Sequence, residues 1–492
     1  MKKFKVLTIV VAGVLVGCVA LSAFLPDMKE AKAEPRYHQH LEAKEKPACE
    51  HTDDTLCSHL PLITINTDGG EEIPGVGYYD EDGNVHYTTT AAGETTIGCD
   101  IAVMDDESVN NHLTDTPDLT TRAEIRVRGN SSRHFIKSSY AIQFVNADGT
   151  NNNQPVMGMG AHHDWVLHGP ILDKTLIRNY LCYNLAGELM DYAPNVRFCE
   201  AVINGRYSGL YVMLESITVG DVDTRLDLSV SKKRNTFTGY CLRLDRGSSS
   251  EEKNLNTFSM YSMFHGGIID TVYPGMANLT DKLKRDITLD FSAFERTLYS
   301  YDYNDKTHGY TSYIDVDSFV DYFLINEFTS NYDAGTFSTY IYKETGDKYK
   351  LCVWDFNNSC DNYQEAAIDR ETFQLQNGLW FEMIFKDNAF IEQAIERYLE
   401  LRKTYFSDEY IDGYISDVIA YLGDAIDRNY ARWTTAFQYD LLRPVERNPR
   451  SYEEAVQDLR EYFSQRGKFM DENIYALRQY SEVPNSAKKI GG

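Results

Sequence analysis

The chain lacks the short signatures that mark most nucleotide-handling and hydrolytic enzymes. In 492 residues there is no Walker-type loop, no GxGxxG loop, no GxSxG elbow and no CxxC pair. These absences exclude the common P-loop, ordinary-kinase, serine-hydrolase and zinc-ribbon readings. His162, His163 and Asp164 lack the i, i+4 spacing of a helical zinc protease, and no clustered Cys/His spacing suggests a zinc site. Positive charge is also scarce. With 48 basic against 74 acidic residues the formal charge is −26, a field that repels nucleic acid and anionic lipid and favours basic protein partners. Internal repeats and low-complexity tracts are absent.

One long hydrophobic run is present, at residues 6–25, preceded by Lys2, Lys3 and Lys5. Its length and basic flank predict a signal peptide or membrane anchor within residues 1–33. Cys18 follows Leu15-Val16-Gly17 as in a lipobox, and Ala31-Lys32-Ala33 fits a signal-peptidase site. A lipid on Cys18, cleavage, or retention as an anchor all put the bulk outside the cytoplasm. The other eight cysteines, an even number, permit disulfides in an exported chain; Cys49/Cys57 and Cys352/Cys360 are near enough in sequence to close small loops.

Residues 34–58 are charged, carry His38, His40 and His51, lack hydrophobic periodicity and predict a tether. Strands dominate next: 60–65, 124–128, 140–144, a hairpin of 201–203 and 210–214 about Asn204-Gly205, and 240–244. Between them, 173–189 has helical spacing with Asp173 as its cap. Residues 247–310 predict an irregular, partly helical connection. Residues 317–328 and most of 380–475 have helical spacing, and 481–492 read as a flexible tail. The expected layout is α+β, with a strand-rich part at 59–310 and a helix-rich part at 311–480.

The strongest chemical signal is a second hairpin, 336–342 and 349–354 about Gly346-Asp347. Asp333 enters it and Asp355 leaves it. Registry about a turn at Thr345-Gly346 puts Asp333 opposite Asn358, so two carboxylates meet at one sheet end. Phosphoryl transfer uses such a pair, one to orient or deprotonate a hydroxyl, the other to hold a divalent ion. Asn357, Asn358 and Asn331 are further oxygen donors for Mg²⁺ or Mn²⁺. Upstream, the loop Arg128-Gly129-Asn130-Ser131-Ser132 offers backbone N–H groups, hydroxyls and a guanidinium to phosphate, and Lys137 offers a point charge.

Five blocks occur in one order: RGNSSRHFIKSSYAIQF (128–144), DWVLHGPILDKTLIRNYLCYNL (164–185), GRYSGLYVMLESI (205–217), YFLINEFTSNYDAGTFSTYIYK (322–343) and VWDFNNS (353–359). Together they resemble the spore-coat-protein-H-like (CotH) atypical kinase family over roughly residues 60–471. The resemblance implies a two-lobed, kinase-like fold that binds ATP with Mg²⁺ or Mn²⁺. It implies Asp333 as the catalytic-loop base and Asp355, in Asp355-Phe356-Asn357, as the metal-holding aspartate with Asn357 beside it. It further implies that Arg128, Ser131 and Lys137 meet phosphate, that Lys174 and Arg178 share a helical face beside the nucleotide, and that Glu215 lies at the hinge near adenine. The residues after Asp355 are more polar than the family's pattern. The implied activity is transfer of the γ-phosphoryl group to Ser/Thr hydroxyls of an extracytoplasmic or coat protein, with a basic acceptor favoured by the −26 charge. Two rivals are a non-catalytic surface or coat module of the same fold, and a kinase-like enzyme that transfers AMP or another ATP-activated group.

Overall fold

A computed structural model describes residues 36–49, 56–217, 226, 228, 239–246, 253–255 and 268–481. The apolar run, Cys18, the 31–33 pattern and residues 482–492 lie outside them. Among the described residues no helix is long and apolar enough to cross a membrane. The architecture is α+β, strand-rich first and helical afterwards.

Seven strands close a barrel: β1 (Leu62–Thr67), β2 (Ile97–Met104), β3 (Leu119–Arg128), β4 (Ser139–Val145), β5 (Asp164–His168), β6 (Val196–Ile203) and β7 (Arg206–Glu215), in the order β5-β7-β6-β1-β2-β3-β4. Going once round a closed barrel, strand direction must return to itself, so antiparallel junctions must be even in number. An odd barrel therefore needs a parallel junction, and β1 with β6 supplies it, Leu62 opposite Glu200. Strict alternation in β3 turns Ala123, Ile125 and Val127 inward and leaves Glu124, Arg126 and Arg128 on the outer face. The expected hairpin joins β6 to β7, with Asn204 at φ 48° and Gly205 at φ 72° in its turn. Both central residues at positive φ match the right-handed strand twist.

A second sheet has the order β9-β8-β10-β11, built from β8 (Tyr240–Asp245), β9 (Ile268–Tyr273), β10 (Thr339–Lys343) and β11 (Tyr349–Cys352). Among the described residues the longer helices are α1 (Arg178–Leu189), α2 (Asp281–Leu298), α3 (Val316–Phe328), α4 (Asn388–Leu401), α5 (Asp408–Leu422), α6 (Asp424–Arg432) and α7 (Tyr452–Asn473).

Within 247–310, expected as an irregular, partly helical connection, residues 268–298 hold a strand and an 18-residue helix. Two expectations need correction. Helix α1 starts at Arg178, because the Asp173 carboxylate takes the Thr175 amide at 2.9 Å and the Arg178 amide at 2.8 Å, holding 173–177 in a turn with Leu176 at φ 66°. Lys174 is thus outside the helix and shares no helical face with Arg178. Residues 37–42 are no loose tether: Gln39 is buried and exchanges hydrogen bonds with the Phe198 backbone at 2.7 and 3.1 Å, and His38 meets Tyr414 and Glu188 at 3.0 and 2.6 Å. Among the described cysteines no disulfide is formed.

Candidate active site

The β10–β11 ladder pairs Tyr340 with Cys352 and Lys343 with Tyr349. Asp333 is not in the strand but in the turn after α3, where its carbonyl accepts the amides of Thr336 (3.0 Å) and Phe337 (2.8 Å). Asp355 leaves β11 on the far side. Three contacts tie the two loops together: Cys360 N to Thr329 O at 2.7 Å, Asn358 Nδ2 to Asp333 Oδ2 at 2.9 Å, and Asn331 Nδ2 to Trp354 O at 3.5 Å. The Asp333–Asn358 meeting foreseen from hairpin registry is therefore made by side chains.

Backbone strain is concentrated here. Ser330, Ser338, Asp355, Cys360 and Asp361 all have positive φ, Asp355 at 55°. A non-glycine residue there costs on the order of 1 kcal/mol. The loops hold this conformation because they are pinned from outside. Tyr183 Oη accepts the Asp355 amide at 2.9 Å, Asn179 Oδ1 accepts the Phe356 amide at 3.1 Å, and Asn179 Nδ2 donates to Asn357 Oδ1 at 2.8 Å. Asn179 and Tyr183 are one turn apart on α1. On the other flank Arg370 and Arg447 pair with the Asp361 carboxylate at 3.0 and 2.9 Å.

Electrostatics follows from this closeness. Burial, then the charge of Asp355, pushes the Asp333 carboxyl up to about 6; the Asn358 hydrogen bond and Arg246 oppose the shift. Asn357 donates its amide to Asp355 Oδ1 at 2.7 Å. Because Asn179 fixes that amide's orientation, its oxygen faces α1 rather than Asp355. Asn331 is buried, and its Oδ1 has no hydrogen-bond partner. The donors available to a cation are thus all oxygens: Asp355, Asn331 and the edge of Asp333. Such a set suits Mg²⁺ or Mn²⁺.

A cleft of about 280 Å³ opens beside these loops, between the outer faces of β3–β5 and the second sheet. Arg126 and Arg128 line one wall, Tyr340 and Trp354 the other, and Ser216-Ile217, just past β7, a third. The Arg128 guanidinium lies 5.7 Å from the Trp354 ring. Burial, then the charges of Arg133 and Arg128, lowers the affinity of Arg126 for its proton. Glu124 and Asp164 line the same cleft, and the charge of Asp164 opposes the shift at Arg126, so the lining carries both signs.

Other sequence candidates fall elsewhere. Ser131 is exposed, in the turn Ser131–His134 that follows β3. Lys137 is buried and donates to Leu210 O at 2.5 Å and Asn429 Oδ1 at 2.8 Å, and burial lowers its pKa strongly. Lys174 donates to Ile171 O at 2.9 Å, and burial brings it to about 8. Arg178 is buried against Asp173 at 2.5 Å and reaches Cys360 O at 3.5 Å. Glu215 accepts from Asn195 N (2.8 Å) and Nδ2 (3.0 Å) beside the cleft's third wall. The site thus gathers Asp333, Asp355, Asn357 and Arg128, and leaves Lys137 and Lys174 in other contacts. Sequence reading missed Arg126, Asn179 and Tyr183. The alternation of β3 already set Arg126 beside Arg128, and the i, i+4 spacing already set Asn179 beside Tyr183.

The family model described as CotH kinase protein matches residues 125–470; the chain belongs to that family. It is 24% identical over 311 residues to the inner spore coat protein H of Bacillus subtilis (strain 168), a match covering 59% of this chain and 73% of that protein.

Proposed function

We propose that the protein is an exported, two-lobed atypical kinase that moves the γ-phosphoryl group of ATP to a Ser/Thr hydroxyl of a coat or other extracytoplasmic protein. The observation that carries this reading is the cross-linking of the Asp333 and Asp355 loops beside the Arg126/Arg128 cleft. Asp355, with Asn331, would hold Mg²⁺ or Mn²⁺, which when bound neutralises charge on the phosphate oxygens. Arg128 and Arg126 take the phosphates, Tyr340 and Trp354 flank the nucleotide, and the backbone at Ser216-Ile217 meets its base. Asp333 orients the acceptor hydroxyl and takes its proton as the new O–P bond forms and ADP leaves with the electrons of the broken bond. A carboxylate pushed up to about 6 is a better proton acceptor than a solvated one. Tyr183 and Asn179 keep Asp355 in its strained conformation, the role a regulatory helix plays in a kinase. Loss of the metal carboxylate or of a phosphate cation should cost roughly a thousandfold in rate. The net charge of −26 favours acceptors rich in Lys and Arg.

The test uses ATP labelled separately at the γ and α positions, with Mg²⁺ or Mn²⁺, and Asp355→Asn alongside. Label transferred from the γ position alone, and lost in the variant, supports the proposal. Transfer from the α position indicates nucleotidyl transfer, and no transfer with no nucleotide binding indicates a coat scaffold; either result overturns it.

A further inference from the structure

The fold assembles what the sequence spacing did not display, a Cys/His cluster remote from the carboxylates. Cys57 and His112 are direct partners in a short antiparallel ladder, Cys57–Ser58 against Asn111–His112, so their side chains leave the same face. Cys49, from the segment that runs along the body after Gln39–Glu42, places Sγ 3.1 Å from His112 Nε2. One ligand atom from each of the three residues lies within 4.8 Å of the others. Around a tetrahedral zinc ion, with bonds near 2.0–2.3 Å, neighbouring ligand atoms are about 3.3–3.8 Å apart. Side-chain rotation of roughly an ångström closes the set.

A second feature points the same way. The other ring nitrogen, His112 Nδ1, lies 3.3 Å from Asp115 Oδ2, and that oxygen also accepts the His112 amide at 2.7 Å. A carboxylate holding Nδ1–H fixes the tautomer whose Nε2 lone pair points at the two sulfurs. This is the orienting arrangement found behind metal-bound imidazoles. His112 is nearly buried, whereas Cys49 and Cys57 are partly exposed, so an ion can enter.

We propose that Cys49, Cys57 and His112 bind a thiophilic divalent cation, zinc by preference, that fastens the N-terminal segment to the strand-rich half of the protein. Binding displaces both thiol protons to solvent and leaves two thiolates and a neutral imidazole on the ion. Soft sulfur ligands separate this site from the all-oxygen carboxylate site, which suits hard cations. The proposal does not depend on the kinase reading.

The test uses the full chain, purified under thiol-free reductant and titrated with Co²⁺. A stoichiometric thiolate-to-cobalt charge-transfer band is expected, displaced by Zn²⁺ and unchanged in Asp355→Asn. It should vanish in Cys49→Ser and Cys57→Ser. Asp115→Asn alters no ligand, and should keep the band while weakening affinity about 10- to 100-fold. Zinc should raise the unfolding temperature of the wild type and not of the cysteine variants. Absence of the band in folded wild-type protein, its survival in both cysteine variants, or unchanged affinity in Asp115→Asn would overturn the proposal. So would a Cys49–Cys57 disulfide mapped by mass in unreduced protein from its native source.

Discussion

Replacing Asp355 by Asn should make the metal-free protein more stable while abolishing the proposed phosphoryl transfer. The substitution is close to isosteric, and Asn tolerates the φ of 55° that the position requires. What it removes is a negative charge beside Asp333. The Asp333 carboxyl is moved from 3.8 to about 6, which is worth roughly 3 kcal/mol at 1.36 kcal/mol per unit. Burial supplies the larger part and the Asp355 charge the next, and residual exposure screens both, so relief on the order of 1 kcal/mol is left for the substitution. In a chain this long that is a rise in Tm of about 1–2 °C. The sign against pH follows from linkage. Folded Asp333 binds its proton more tightly than unfolded Asp333, so the penalty is absent below about pH 4 and grows as pH rises through about 6. Thermal unfolding in chelator should therefore show the variant ahead at neutral pH and level with wild type near pH 4. Adding Mg²⁺ or Mn²⁺ should reverse the order, since a cation at a hundred times its Kd stabilises the protein that binds it by about 2.7 kcal/mol. A variant less stable than wild type in chelator at neutral pH, or an advantage independent of pH, would show that the Asp355 charge does not raise the Asp333 carboxyl.

Three further outcomes are expected. Arg128→Ala should lower kcat/KM for ATP roughly a thousandfold, as expected for a lost phosphate cation; steady-state kinetics at saturating acceptor reads kcat and KM separately. Lys137→Met should cost about 1–3 kcal/mol in denaturant unfolding by leaving Leu210 O and Asn429 Oδ1 short of a donor. It should leave the KM for ATP within about twofold; a large KM effect would return Lys137 to the phosphates. Arg466 is fully buried and binds Glu327 at 2.7 Å together with the carbonyls of Glu327, Arg370 and Thr372. Arg466→Met alone should destabilise by about 3–5 kcal/mol, and adding Glu327→Gln should recover only the part due to the unpaired carboxylate, since the three carbonyls still lack their donor.

The parts of the fold legible in the sequence were those governed by local chemistry. Asn204-Gly205 dictated its turn, β3 and β4 displayed their alternation, and the Asp333–Asp355 hairpin could be placed to within three residues. Barrel closure was not legible, because the parallel contact of β1 with β6 joins segments far apart in the chain, and periodicity says which face is buried but not against what. The start of α1 was missed because one aspartate side chain competed for the backbone amides that a helix would have used. At the site, the carboxylates were legible as polar residues where a hairpin opens. Lys137 and Arg178 were not, since a charged side chain is exposed by default and only the folded chain supplies the acceptors that let both be buried. The Cys49, Cys57 and His112 cluster was hidden for the same reason as the barrel, its members being brought together by strand pairing rather than by spacing.

In the proposed function Asp333 and Asp355 serve one cation and one triphosphate. Anomalous diffraction from crystals grown with Mn²⁺ and a non-hydrolysable ATP analogue tests it most directly. A manganese peak bonded to the Asp355 carboxylate and a phosphate oxygen is expected, with Asp333 facing the γ-phosphoryl group and Arg126 or Arg128 on the phosphates. A nucleotide bound elsewhere, or a manganese ion that leaves Asp355 untouched, would contradict it.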